Sequence, residues 1–132
     1  AMPCATQNEI GIKEAKQIIA NGTKYYIEVA NMPTTEEALN FLIDRKEVIV
    51  APSKAVNAGG VCVSGLEMSQ NSQRLSWTAE EVDEKLHNAM INIHKHSVEA
   101  AEKYGLGYDL VAGANIAGFE KVAEAMMAQG IY

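Results

Sequence analysis

The chain has 132 residues, 48% hydrophobic and 21% charged, and 11 Lys and Arg against 17 Asp and Glu give a formal net charge of -6. This is the balance of an ordinary globular domain able to bury an apolar core, and it excludes a disordered or fibrous chain. The acidic balance also excludes a nucleic-acid partner, which needs clustered Lys and Arg, and no run approaches the ~20 apolar residues that would make a membrane a partner.

The N-terminal "AMPCATQNE" has neither a basic region nor an apolar leader, so a cytoplasmic location is expected. A start at Ala-Met places the first residues inside a strand and turn, as a cut or engineered boundary would. Cys4 and Cys62 are far apart and form no CxxC pair. Buried free thiols are expected, with neither a disulfide framework nor a zinc site.

In chain order, the neighbourhood of Cys4 can supply a strand. Residues 11 to 21 repeat apolar side chains at Ile12, Ala15, Ile18 and Ile19, with Gly22 as a stop, which predicts a helix. "KYYIEVA", residues 24 to 30, reads as a buried strand. Thr34 with Glu37 predicts a capping box and a helix over about 35 to 45. "EVIVAP" is a second strand, stopped by Pro52. Strand, helix and strand within this span predict a parallel βαβ unit.

Beyond Pro52 the pattern is helical. Residues 57 to 75 predict one helix, and Thr78 with Glu81 a second capping box. That box opens a helix to about Tyr104 with Val82, Leu86, Met90 and Ile93 on one face. "GLGYDLVAG" breaks it, and the last helix is predicted to turn Phe119, Val122 and Met126 inward. The expected class is α/β: a short parallel sheet over residues 1–56, then three helices over residues 57–132.

The stretch "APSKAVNAGGVCVSGLEMSQNS" has neither GxGxxG spacing nor the Lys-Ser/Thr pair of a phosphate loop. As a helix it puts Asn57, Val61 and Ser64 at i, i+4 and i+7, one face carrying an amide, a methyl surface and a hydroxyl. Gly59 and Gly60 each cost roughly 1 kcal/mol in a helix interior, so something packs close to that backbone, either a neighbouring element or a ligand. "EVANMPTT" lies where a strand gives way to a helix, the carboxyl edge at which open α/β sheets hold ligands. Asn31 either faces a cofactor there or forms an Asx turn before Pro33. Thr6 and Gln7 stand in the same relation to the first strand. His87 and His94 share a helix face but lack partners for a metal site, and no Ser-His-Asp set is visible.

Taken together, "PCATQNE", "EVANMPTTEEA", "APSKAVNAGGVCVSGLEMSQNSQRLSWTAEEVDEKL" and "GANIAGFEKVAEAMMAQG" resemble the C-terminal part of glutamate dehydrogenase of the small hexameric bacterial type, over essentially the whole chain. The resemblance implies part of a Rossmann-like coenzyme domain, followed by helices that return across the cleft. It implies that Ser64 bonds the side-chain carboxylate of glutamate, that Val61 packs on its methylenes, and that Asn57 heads the same helix. Ala5, Thr6, Ala30 and Asn31 resemble residues that meet the nicotinamide and its ribose.

The implied reaction moves hydride from the glutamate α-carbon to NAD or NADP and hydrolyses the imine to 2-oxoglutarate and ammonia, in a homohexamer. The family's catalytic lysine and aspartate, and GxGxxG, match no stretch here, so no catalytic or metal-ligating residue is expected in this chain and the chain alone is expected to be inactive. Val29 departs from the family's glycine before "AN". The alternative is a free-standing nucleotide-binding or regulatory module related to the enzyme.

Overall fold

The computed structural model describes residues 1–130. Helix α1 (Ile12–Ala20) leads to strand β1 (Tyr25–Ile27), helix α2 (Glu36–Ile43) and strand β2 (Ile49–Ala51). Four helices follow: α3 (Ser53–Val56), α4 (Ala58–Gln73), α5 (Ala79–Lys103) and α6 (Leu110–Gln129). The chain is thus mostly helical, with a short parallel sheet. β1 and β2 run parallel with Tyr26 opposite Val50, and the helical crossover α2 joins them.

A third segment extends the sheet without being a regular strand. The Ala1 nitrogen donates to the Tyr25 carbonyl at 2.8 Å, the Ile27 N–H donates to the Ala1 carbonyl at 2.9 Å, and the Val29 N–H to that of Pro3 at 3.0 Å. This alternation is that of a parallel ladder. Pro3 has no N–H to bond the Ile27 carbonyl, so one rung is missing before the Val29 bond, the last of the three. The strand expected near Cys4 is therefore a stub over residues 1–3, and Cys4 itself lies beyond it, exposed rather than buried.

One core fills the space between the sheet and α1 and α2. Ala15, Tyr26, Ala38 and Leu42 are fully buried and Val48 and Val50 nearly so, with Ile10, Ile18 and Phe41 packed around them. Burying a side chain such as Leu42 contributes roughly 2–3 kcal/mol. Gly22, at φ +72°, turns the chain out of α1.

Three expectations need correction. Helix α2 begins one residue later than predicted: Thr35 is its N-cap and makes no side-chain cap bond. Thr34 is unavailable, because it pairs with Ile10 in an isolated parallel bridge and its Oγ1 lies 2.7 Å from the buried Tyr26 hydroxyl. The helix predicted to start at residue 57 is preceded by α3, with Asn57 as the joint between the two.

The third correction concerns α6. It starts at Leu110, where Asp109 Oδ1 accepts the Ala112 N–H at 2.9 Å, and Phe119, Val122 and Met126 point outward, 71%, 58% and 63% exposed. Its inward residues are Leu110 and Gly113. A Cβ on Gly113 would lie 1.9 Å from the Ser97 carbonyl oxygen. Only small residues permit that approach, so the inward face of α6 is the small one and the bulky one faces out.

The second capping box forms as predicted. Thr78 Oγ1 accepts the Glu81 N–H at 3.2 Å and Glu81 Oε2 accepts the Thr78 N–H at 2.7 Å. From there Val82, Leu86, Met90 and Ile93 form the half-buried face of α5. Lys103 Nζ and the Tyr104 hydroxyl both donate to Glu120 Oε1, at 2.6 and 2.8 Å, and clasp α5 to α6. These bonds, that from Lys103 first, hold the Glu120 carboxyl below its ordinary range. Among the described residues no helix is long and apolar enough to cross a membrane.

Candidate functional site

The three parallel segments end at one edge of the sheet, and the chain that leaves residues 1–3 and β1 there supplies the first set of candidate residues. The Pro3 carbonyl accepts the N–H groups of both Val29 and Ala30 at 3.0 Å, which bends the chain away after β1. Asn31 and Met32 follow, both exposed, with Met32 in the left-handed region at φ +50°. The loop after Pro3 lies alongside. The Ala5 N–H donates to Glu9 Oε1 at 3.0 Å, and the Asn8 N–H donates to the Met32 carbonyl at 2.9 Å. The fold thereby brings Ala5 and Thr6, both exposed, beside Ala30 and Asn31.

The second set lies on α4. Asn57 is half-buried at the helix start, Ser64 is exposed and Val61 is 76% exposed. No residue of α4 is fully buried, so its outer face is free to receive something. The two glycines separate the readings that the sequence left open. A Cβ on Gly59 would sit 3.2 Å from both Leu86 Cδ1 and Met90 Sδ, so Gly59 serves close packing on α5. Gly60, nearer the Asn57–Val61–Ser64 face by helical geometry, has nothing within 4 Å of the equivalent position.

Ser64 Oγ donates to the Gly60 carbonyl at 3.2 Å. A serine has one hydroxyl proton, so binding an external carboxylate requires that proton to swing away from the helix backbone. Asn57, Val61 and Ser64 provide an amide, a methyl surface and a hydroxyl but no cation, so a bound dicarboxylate would need positive charge from elsewhere.

No hydrogen bond among the described residues joins the two sets directly. A hollow of about 500 Å³ beside β2, lined by Arg45, Val48, Val50, Tyr108 and Leu110 among others, contains none of the seven candidates. His94 Nε2 lies 2.6 Å from the Tyr108 hydroxyl on the surface, and among the described residues no group of three or more His, Cys, Asp or Glu is placed to hold a metal.

Two links between elements were not legible in the sequence. Glu28, 3% exposed directly after β1, accepts the Ser53 N–H on Oε2 at 3.1 Å and so ties the end of the strand to α3. A carboxylate inside the apolar run "YYIEVA" was the available signal, although the strand expected over residues 24 to 30 is regular only over Tyr25–Ile27 and Tyr25 is 62% exposed. Lys54 Nζ donates to Asn115 Oδ1 and links α3 to α6. Asn115 stands in the "GANIAGF" motif, but only tertiary contact identifies its partner.

Residues 1–130 match the model of the glutamate/leucine/phenylalanine/valine dehydrogenase family. The chain belongs to that family. An NAD-specific glutamate dehydrogenase of Clostridium symbiosum is 72% identical over 130 residues, covering 98% of this chain and 29% of that one. An NAD(P)-specific glutamate dehydrogenase of Xylanibacter ruminicola is 60% identical over 136 residues, covering all of this chain and 30% of that one.

A solved glutamate dehydrogenase superposes with a TM-score of 0.95 at 72% identity, over 98% of this chain and 29% of the other. A hetero-hexameric glutamate dehydrogenase from Thermus thermophilus, solved in a leucine-bound form, superposes at 0.87 with 27% identity, over 99% of this chain and 30% of the other. The chain thus spans somewhat under a third of the length of the relatives it matches.

Proposed function

We propose that this chain works as the C-terminal part of a glutamate dehydrogenase, which oxidatively deaminates L-glutamate to 2-oxoglutarate and ammonia and runs the reverse reaction with NAD or NADP. The observation that carries the reading is the convergence of three parallel segments on one edge, with the exposed Thr6 and Asn31 in adjacent loops there. Carboxyl edges of parallel sheets are where open α/β folds bind nucleotides. On this reading residues 1–56 are part of a Rossmann-like coenzyme domain, and residues 57–132 form the helical segment that packs back across the cleft.

The donor set fits the nicotinamide end of a dinucleotide. The small side chains of Ala5 and Ala30 leave the backbone open to a flat ring, the Asn31 carboxamide can pair with another carboxamide, and the Thr6 hydroxyl can reach a ribose. Bound there, the nicotinamide supplies the hydride acceptor. This chain's own residues bind and orient. Ser64 turns its hydroxyl proton from the Gly60 carbonyl to the γ-carboxylate of glutamate, Val61 covers the methylenes and excludes water, and Asn57 presents its amide at the head of the helix. The lysine and aspartate that handle the proton and the amine belong, by family resemblance, to the portion of the relatives that this chain does not match. The family resemblance supports a homohexamer as the working assembly of the complete protein, with a cytoplasmic location; the Thermus neighbour, a hetero-hexamer, supports the hexameric number alone.

Glutamate-dependent reduction of NAD or NADP, measured for this chain and for a version extended upstream to the full length of the relatives, tests the proposal. Activity is expected only in the extended protein. Turnover by the short chain, or none by the extended one with either coenzyme, overturns it.

A further inference from the structure

Glu28 is a buried acid to which the proposed reaction gives no task. With 3% of its surface exposed, it keeps a polar side chain inside the fold, where a polar group without partners is costly. Its two polar ends grip one connection. The Glu28 N–H donates to the Ala51 carbonyl at 3.0 Å, and Oε2 accepts the Ser53 N–H at 3.1 Å.

From that grip a series of hydrogen bonds runs to the substrate face. The Ser53 carbonyl accepts the Asn57 N–H at 2.9 Å, and the Asn57 carbonyl accepts the Gly60 N–H at 3.2 Å. The Gly60 carbonyl in turn accepts the Ser64 hydroxyl at 3.2 Å. In the other direction Glu28 is followed directly by Val29, Ala30 and Asn31 of the coenzyme edge. We infer that Glu28 is a positioning residue: by holding the Ser53 amide it sets where α3 begins, and so where Asn57, Val61 and Ser64 stand relative to the nicotinamide edge. The inference rests on the proposed function and adds a residue to it.

The test uses the complete dehydrogenase carrying this chain and three variants. Glu28→Leu removes the acceptor. Ser53→Pro removes the donor at a helix position that tolerates proline, after Pro52, whose φ -76° and ψ 148° already suit a following proline. Glu28→Gln keeps an acceptor without the charge. Ser53→Pro and Glu28→Leu are expected to raise the glutamate KM about tenfold or more, as small misplacements of binding groups do. In Ser53→Pro the coenzyme KM should stay within about threefold of the parent, and Glu28→Gln should return the glutamate KM to about the same range.

A purely structural Glu28 would lower the melting temperature and leave that split absent. Should Glu28→Leu not fold, the other two variants decide. An unchanged glutamate KM in Ser53→Pro, or a Glu28→Gln enzyme with a tenfold defect of its own, overturns the inference. Ser64→Ala is measured alongside. If it raises the glutamate KM while Ser53→Pro does not, only the positioning role fails; if Ser64→Ala also has no effect, the proposed substrate face fails with it.

Discussion

Gly113 lies against the backbone of Ser97 so closely that a Cβ at residue 113 would stand 1.9 Å from the Ser97 carbonyl oxygen and 3.2 Å from Ala101 Cβ. A backbone carbonyl cannot swing aside as a side-chain tip can. Gly113→Ala must therefore part α5 from α6, and overpacking of this kind costs about 1–3 kcal/mol or more. Chemical denaturation should show the loss. A variant as stable as the parent would mean that the two helices do not cross here.

The two threonines once paired as helix caps should behave differently. Thr78→Ala removes a working N-cap and should cost about 1 kcal/mol, read as fraying of the first turn of α5 by hydrogen exchange. Thr34→Ala should leave the start of α2 unaffected, because Thr34 caps nothing, yet should destabilise the sheet by leaving the buried Tyr26 hydroxyl without its partner. Matching losses at both helix starts would mean that Thr34 also acts as a cap.

Tyr26 supplies a pH dependence. Its hydroxyl is raised from 10.0 to about 12, by burial first and then by the carboxylates of Glu28 and Glu9, with the bond to Thr34 acting against them. Because the folded state holds this proton more tightly than the unfolded one, the stability it contributes is whole below pH 10.0 and lost as pH rises toward about 12. Denaturant midpoints followed across that window should fall for the parent and fall less steeply for Tyr26→Phe. Equal slopes would remove Tyr26 from the effect.

Gly59 and Gly60 are adjacent but should not respond alike. With nothing within 4 Å of its missing Cβ, Gly60→Ala should stabilise α4 by up to about 1 kcal/mol while raising the glutamate KM of the complete enzyme, since the added methyl borders the proposed substrate face. Gly59→Ala presses on Leu86 and Met90 instead and should alter stability with less change in glutamate KM. Thermal melts and steady-state kinetics on the pair separate the two roles.

Ser64→Ala in the complete enzyme should weaken glutamate binding by more than it alters coenzyme affinity. Loss of one hydrogen bond to a charged group corresponds to about 1.5–3 kcal/mol. Inhibition by dicarboxylate analogues provides the readout, and an undiminished response to them would remove Ser64 from the site.

Much of the local structure was legible because it depends on neighbours in sequence. Thr78 and Glu81 cap each other across one helical turn, Gly22 turns the chain by itself, and the apolar spacing from Val82 to Ile93 marks one face of α5 whatever packs on it. Thr34 carried the same local signature as Thr78. It failed as a cap because Ile10 and Tyr26, distant in sequence, compete for its backbone and hydroxyl. Phe119, Val122 and Met126 misled for a related reason: hydrophobic spacing reports that a face is apolar, but the Ser97 backbone requires the small face to be the inner one.

The candidate site divides along the same line. By its own pattern the sequence determined the βαβ unit, the absence of phosphate-loop spacing and the alignment of Asn57, Val61 and Ser64, since each follows from residue order and helical or strand period. Its long motifs also carried the family resemblance. Only the tertiary structure decided that the loops after Pro3 and Val29 lie side by side, that Gly59 packs while Gly60 stays open, and that Glu28 holds Ser53. Those relations join residues up to 31 positions apart, as in the packing of Gly59 on Met90, and no local pattern encodes a contact whose partner arrives only when the chain folds back.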